Sequence, residues 1–191
     1  MKTKFLGKTN NKSKKKGKNL LDNIPRTKED IKYGFDIWNV YDFMYLDKNM
    51  IPHLSVLEIT IPSNSDFIIE SKSMKLYLNH FYNKSFKTRS EISKIVKKDI
   101  EHKINSKIKV KFIKSFSKEP TVININKLKL KSSPNKKVLK FNGFRSICPV
   151  TSQPDFASIY IYSDRPIDLK WLKHYLISFS DHGGFHEQCI E

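Results

Sequence analysis

Arginine is scarce in this chain. It stands only at positions 26, 89, 145 and 165, and lysine supplies the other 32 of 36 basic residues. Cysteine occurs twice, as Cys148 and Cys189. Two cysteines cannot make a disulfide framework, so a reducing, cytoplasmic setting is expected. No apolar run approaches the length of a membrane span, and no membrane association is expected. The first nineteen residues are rich in lysine and lack the apolar centre of a secretory signal.

The shortage of arginine qualifies the net charge of +17. Such an excess by itself suggests a polyanionic partner. A surface selected to grip phosphate would use more arginine, whose planar fork binds it bidentately. A solvated lysine surface is the simpler reading, and no direct nucleic-acid partner is required. What the chain does have is apolar and aromatic side chains. With 191 residues, 38% hydrophobic and 12% aromatic, it can bury one sizeable core or two small ones.

Four parts are expected: a basic flexible tail at 1–23, an N-terminal module at 24–131, a linker at 132–137 and a C-terminal module at 138–191. The tail includes GKTNNKSKKKGKN, a low-complexity basic run. The segment FDIWNVYDFMYL at 35–46 must bury much of its aromatic surface. Residues 54–61 alternate as a strand. In 68–81, Met74, Tyr77, Leu78 and Phe81 fall at helical spacing, which starts a helix just after Glu70. Thr88 and Glu91 form a capping box, and Ile92, Ile95, Val96, Ile100 and Ile104 follow as one apolar stripe. Strands are expected at 107–112, 122–130 and 156–162. Pro166 opens a further helix, which Gly183 and Gly184 stop. Residues 185–191 read as the first turns of another. The order strand, helix, helix thus occurs once complete, at 54–104, and once cut off, at 156–191.

Three segments carry chemistry. In FRSICPVTSQPDFASI, Cys148 and Asp155 lie seven apart across a proline-rich turn. A thiolate suits attack on an electrophilic carbon, and a nearby carboxyl group can deliver a proton to the atom that gains charge. A buried structural cysteine and a turn-forming aspartate explain the same residues. In FHEQCIE, the carboxylate of Glu187 can accept two N–H donors from a purine-like edge, or can simply cap a helix. In ESKSMKLY, Lys72 and Lys75 share one helix face and can bind dinucleotide phosphates, or can be solvated. A rival constellation of His182, His186, Cys189 and Cys148 has spacing that a zinc ion tolerates, but lacks a paired-cysteine knuckle.

Together these segments resemble the two-module form of 7-cyano-7-deazaguanine reductase, cut short at its C-terminus. Glu70 to Tyr77 meets the family motif in full, and RSICPVTSQPD, FHEQC and FDIWNVYDFMYL with IPR upstream are similar to the family's other stretches. The resemblance implies an α+β tunnelling fold (T-fold) of two ββαα-type modules, the second incomplete, and assembly as a homodimer. It implies reduction of the nitrile of 7-cyano-7-deazaguanine (preQ0) to the aminomethyl compound (preQ1) in queuosine synthesis, with NADPH as cofactor and no metal. In those terms Cys148 attacks the nitrile carbon to give a thioimide, Asp155 protonates the nitrogen and His186 assists proton handling. Glu70 and Glu187 hold the deazaguanine edge, Phe185 packs on the base, and Lys72 and Lys75 bind the cofactor. The stretch at 115–140 is shorter than the family's, and the closing strand with its Arg-Gly-Gly segment is missing. The other reading is an inactive remnant or a basic RNA-associated protein of the same fold.

Overall fold

The computed structural model describes residues 17–26, 33–127 and 131–190, which divide into two units, one up to Phe116 and the other Ser117–Ile190. The first unit contains β1 (Asn23–Pro25), β2 (Phe35–Leu46), β3 (Pro52–Pro62), β4 (Phe67–Ile69), α1 (Ser71–Asn79), α2 (Arg89–Ile104) and β5 (Lys109–Ile113). Strands β2, β3 and β5 form an antiparallel sheet in that order, and β1 pairs with β4 beside it.

Alternation places Leu57, Ile59 and Ile61 of β3 on one face of the sheet, opposite Val40, Trp38 and Asp36. Past a bulge between Val40 and Phe43, Phe43 and Tyr45 continue that face. Met74, Tyr77 and Leu78 of α1 and Ile92, Val96, Ile100 and Ile104 of α2 complete the core. Helix α2 begins where the capping box put it: Thr88 Oγ1 accepts from Glu91 N at 3.2 Å. The return bond goes one residue further back, from Lys87 N to Glu91 Oε2 at 3.1 Å. The aromatic segment buries less than expected. As a strand it has two faces, and only the one carrying Phe43 and Tyr45 is covered, so Phe35, Ile37 and Tyr41 stay exposed.

The second unit holds β6 (Val122–Asn124), β7 (Val138–Ile147), β8 (Pro154–Tyr162), α3 (Leu169–Ser178) and α4 (His186–Ile190). Strand β6 runs parallel to β7, and β7 antiparallel to β8. Leu139, Phe141 and Phe144 of β7 pack with Ile125 and with Leu169, Leu172 and Leu176 of α3.

Five expected boundaries move. Leu20 and Leu21 are buried in the first core, following a 3-10 turn at Gly17–Leu20, so order begins before residue 24. The rest of the expected tail, 1–16, lies outside the described residues. The division between units falls at Phe116/Ser117 rather than at 132–137, because β6 pairs with β7 of the second unit. The expected strand at 122–130 ends at Asn124 in a 3-10 turn, Ile125–Lys127, with 128–130 outside the described residues. Helix α3 is opened by Asp168, which caps Trp171 N at 2.9 Å, three residues into the stretch Pro166 was expected to begin. It ends at Ser178, before the two glycines, and passes into a 3-10 turn. Both units nonetheless run strand, strand, helix, helix: β2, β3, α1, α2 and β7, β8, α3, α4, with short β4 inserted in the first.

Candidate active site

The proline-rich loop between Cys148 and Asp155 is the turn of the β7–β8 hairpin. Ile147 pairs with Pro154 and Ser146 with Asp155, and Cys148 N donates to Gln153 O at 2.8 Å. Ser152, at φ 58°, reverses the chain and returns its N–H to Cys148 O. The register settles which way the side chains face. Leu139, Phe141, Phe144 and Ser146 of β7 stand opposite Ile161, Ile159, Ala157 and Asp155 of β8. Period-two alternation carries that core face through Ser146 to Cys148. Cys148 and Asp155 therefore lie on one face at one end of the hairpin, Cys148 buried and Asp155 exposed.

The FHEQC segment is drawn to the same end. Ile147 N donates to His182 O at 2.8 Å and Gly184 N to Ile147 O at 3.1 Å, a parallel bridge that ties Gly183 to Ile147. The bridge sets His186 against Phe144, with ring centroids 6.1 Å apart. Its Nε2 is buried with no hydrogen-bond partner. Phe185 and Glu187 are half-buried in the same segment. The cap at the start of α4 comes from Gln188, whose Oε1 accepts from Phe185 N at 3.2 Å. Cys189 packs against the second core, and burial pushes its thiol up, against a hydrogen bond with Ser146. Ser146 is fully buried between these groups and had no signal in the sequence beyond its place in the β7 alternation.

In the first unit Glu70 is the N-cap of α1. Its two carboxylate oxygens accept from Lys72 N at 2.6 Å and Ser73 N at 2.8 Å. Asp22 O in turn accepts from Glu70 N at 2.9 Å, and Ser73 Oγ donates to Glu70 O at 2.7 Å, so the cap is braced from both sides. Lys72 and Lys75, one helical turn apart, reach a groove of about 580 Å³ between α1 and the bulged edge strand β2. Trp38, Asn39, Tyr41 and Asp42 form its other wall. Asn39 points to the other face of the sheet, where its Oδ1 is buried and unbonded; the two ammonium groups and two aromatic faces fit a ligand with phosphates and a flat ring. That is the chemistry of a phosphorylated dinucleotide. Among the described residues, no group of three or more His, Cys, Asp or Glu is placed to hold a metal ion, which leaves the rival zinc set unassembled. No described helix is long and apolar enough to cross a membrane.

Comparison with known proteins extends these observations. Residues 13–112 match a family described as "Nitrile reductase, 7-cyano-7-deazaguanine-reductase N-term", and residues 154–191 match "QueF-like protein". An NADPH-dependent 7-cyano-7-deazaguanine reductase of Acinetobacter baylyi is 34% identical over 184 residues, covering 85% of this chain and 68% of the relative. The enzyme of the same description from Desulfotalea psychrophila is 34% identical over 200 residues, covering 93% and 70%. That of Coxiella burnetii (strain Dugway 5J108-111) is 34% identical over 179 residues, covering 83% and 64%.

Proposed function

The chain belongs to the 7-cyano-7-deazaguanine reductase family, and from that premise we propose that it reduces the nitrile of 7-cyano-7-deazaguanine to the aminomethyl compound. The observation that carries the reading is the β7–β8 register, which gives Cys148 and Asp155 a common face beside the bridged His186 segment.

In the first step the Cys148 sulfur forms a bond to the nitrile carbon, and one π bond of the C≡N group breaks. Its electron pair goes to nitrogen, which takes a proton from Asp155. The thiol proton passes to His186, whose buried Nε2 has no other partner. The product is a thioimide linked to Cys148, balanced as addition of S–H across the nitrile. NADPH, when bound, supplies one hydride per molecule, two molecules covering the four electrons of the reduction. Lys72 and Lys75 hold its phosphates. The carboxylate of Glu187 accepts N–H donors from the deazaguanine edge, and Phe185 packs on the ring. Glu70 can accept an N–H donor while capping α1, since each of its oxygens keeps a second lone pair.

The test needs no cofactor. The protein is incubated with 7-cyano-7-deazaguanine and its intact mass measured. We expect an adduct of the substrate mass on Cys148, none in Cys148→Ala, and an undiminished one in Cys189→Ala. Asp155→Asn should slow adduct formation by about 10²–10⁴-fold, the usual worth of a positioned proton donor. Folded protein that forms no adduct refutes the reading.

A further inference from the structure

Ser146 is fully buried on the core face of β7, where a strand ordinarily carries an apolar side chain. It stands between Phe144 and Cys148 in the alternation and opposite Asp155 in the register. A buried hydroxyl costs stability unless it is bonded. Here it donates to Gly184 O at 3.5 Å and shares a hydrogen bond with the Cys189 thiol. Both partners belong to the turn that carries the FHEQC segment. Gly184 precedes Phe185, and Cys189 closes the first helical turn by donating its N–H to Phe185 O at 3.0 Å. Gly184 is buried, and β7 holds both of its backbone polar groups: the N–H donates to Ile147 O and the carbonyl accepts from Ser146 Oγ. A Cβ at Gly184 would lie 3.2 Å from the His182 ring and 3.5 Å from Cys189 Sγ, so glycine leaves the room this approach needs.

We propose that Ser146 is a positioning residue for the thioimide step, its hydroxyl clasping the turn 184–189 to β7 and so holding His186 where it takes the thiol proton of Cys148. The proposal rests on the reductase reading of this site. Helix α4 has five residues, His186–Ile190, and none of them is buried. A helix that short does not fix itself, so its anchors decide where its side chains stand. The backbone bridge at Ile147 sets where the segment enters, and the Ser146 hydroxyl sets the direction in which it continues. Ser146 acts through His186 and not on the substrate.

Ser146→Ala removes the hydroxyl at little change of volume, and two measurements on the whole chain test the clasp. In the first, amide exchange of the peptide 184–190 is followed by mass spectrometry without substrate. Exchange should be about fivefold faster in Ser146→Ala, the strength of one hydrogen bond, and unchanged in the β2–β3 hairpin. In the second, adduct formation with 7-cyano-7-deazaguanine is timed at saturating substrate. Ser146→Ala should slow it by about 10–10²-fold, the effect of a displaced reacting group. His186→Ala should slow it too. Adding Ser146→Ala to His186→Ala should then change the rate by less than about twofold, because the clasp has nothing left to position. A serine that only supports the fold would slow both backgrounds equally, and that result overturns the proposal. So does a Ser146→Ala chain that reacts at the rate of the unaltered one. Should the alanine variant fail to fold, Ser146→Thr and Ser146→Val, alike in shape, carry the comparison: threonine should react faster, and equal rates sink the idea. If the unaltered chain forms no adduct, the reductase reading falls and amide exchange judges the clasp alone. Equal exchange in Ser146→Ala and the unaltered chain overturns it in either case.

Discussion

Tyr77 is fully buried, and its hydroxyl bridges the helices of the first unit by donating to Asp99 Oδ2 at 2.9 Å. Burial, and then the negative charge of Asp99, hold the phenol above its ordinary range, which keeps it a donor at neutral pH. Tyr77→Phe keeps the ring and leaves Asp99 without that donor; urea melts should show a loss of about 1–2 kcal/mol. Asp47 acts at the surface, in the turn between β2 and β3. Its carboxylate accepts from Asn49 N at 2.8 Å, Ile51 N at 3.0 Å and His53 Nε2 at 3.2 Å. The Ile51 amide first, then His53, hold its pKa below the ordinary 3.8. A carboxylate with a depressed folded pKa contributes stability above the unfolded value and loses it as pH falls through the folded one. Thermal melts of the chain and of Asp47→Ala should therefore differ at pH 6 and converge as pH drops below 3.8. At this scale Thr88 was legible as a cap in the sequence, because a capping box is written within four residues of its helix, whereas for Glu70 only the helix start just after it was. The orphaned oxygen of Asn39 was not. It depends on Glu58 and Lys111, which are brought alongside only when the sheet pairs.

Among the elements, α2 was the clearest in advance, since its capping box and apolar stripe share one short stretch. The β7–β8 hairpin was only half legible. Its strand β8 could be read from alternation, but β7 contains a bulge between Asn142 and Phe144 that shifts the alternation by one. Gly143 sits in that bulge at φ +81°, a conformation that side chains with a Cβ rarely adopt. The bulge keeps Phe141 and Phe144 on the same face although they lie three apart, and so decides that Ser146 and Cys148 face the core side. An added Cβ at Gly143 meets nothing within 4 Å, so its cost is backbone strain alone. Gly143→Ala should lose about 1–2 kcal/mol in a denaturant melt. If the bulge flattens instead, the adduct on Cys148 should form more slowly as well, since the thiol would turn to the other face.

For the whole molecule, the division into units distinguishes the structure from the reading of composition. The run SSPNKK at 132–137 has the residues of a linker, yet Ser133 N donates to Ile167 O, Ile167 N to Ser133 Oγ and Leu169 N to Lys131 O. The segment that joins the units is 114–121, exposed throughout and without regular structure from Ser117 to Thr121. Limited trypsin digestion should cut after Lys114 before it cuts after Lys136 or Lys137, as peptide mapping of early time points would show. The sequence by itself determined the candidate residues for the chemistry, the starts of α1 and α2 and the family, because motifs, caps and periodicity are all written within a few consecutive residues. Only the tertiary structure decided that Cys148 and Asp155 share a face, that Gly183 is bridged to Ile147, that β6 belongs with β7, and that the side-chain oxygen of Asn39 is buried without a hydrogen bond. Each of these depends on strand register or on pairing between distant segments, and a bulge of one residue is enough to reverse what local alternation would predict.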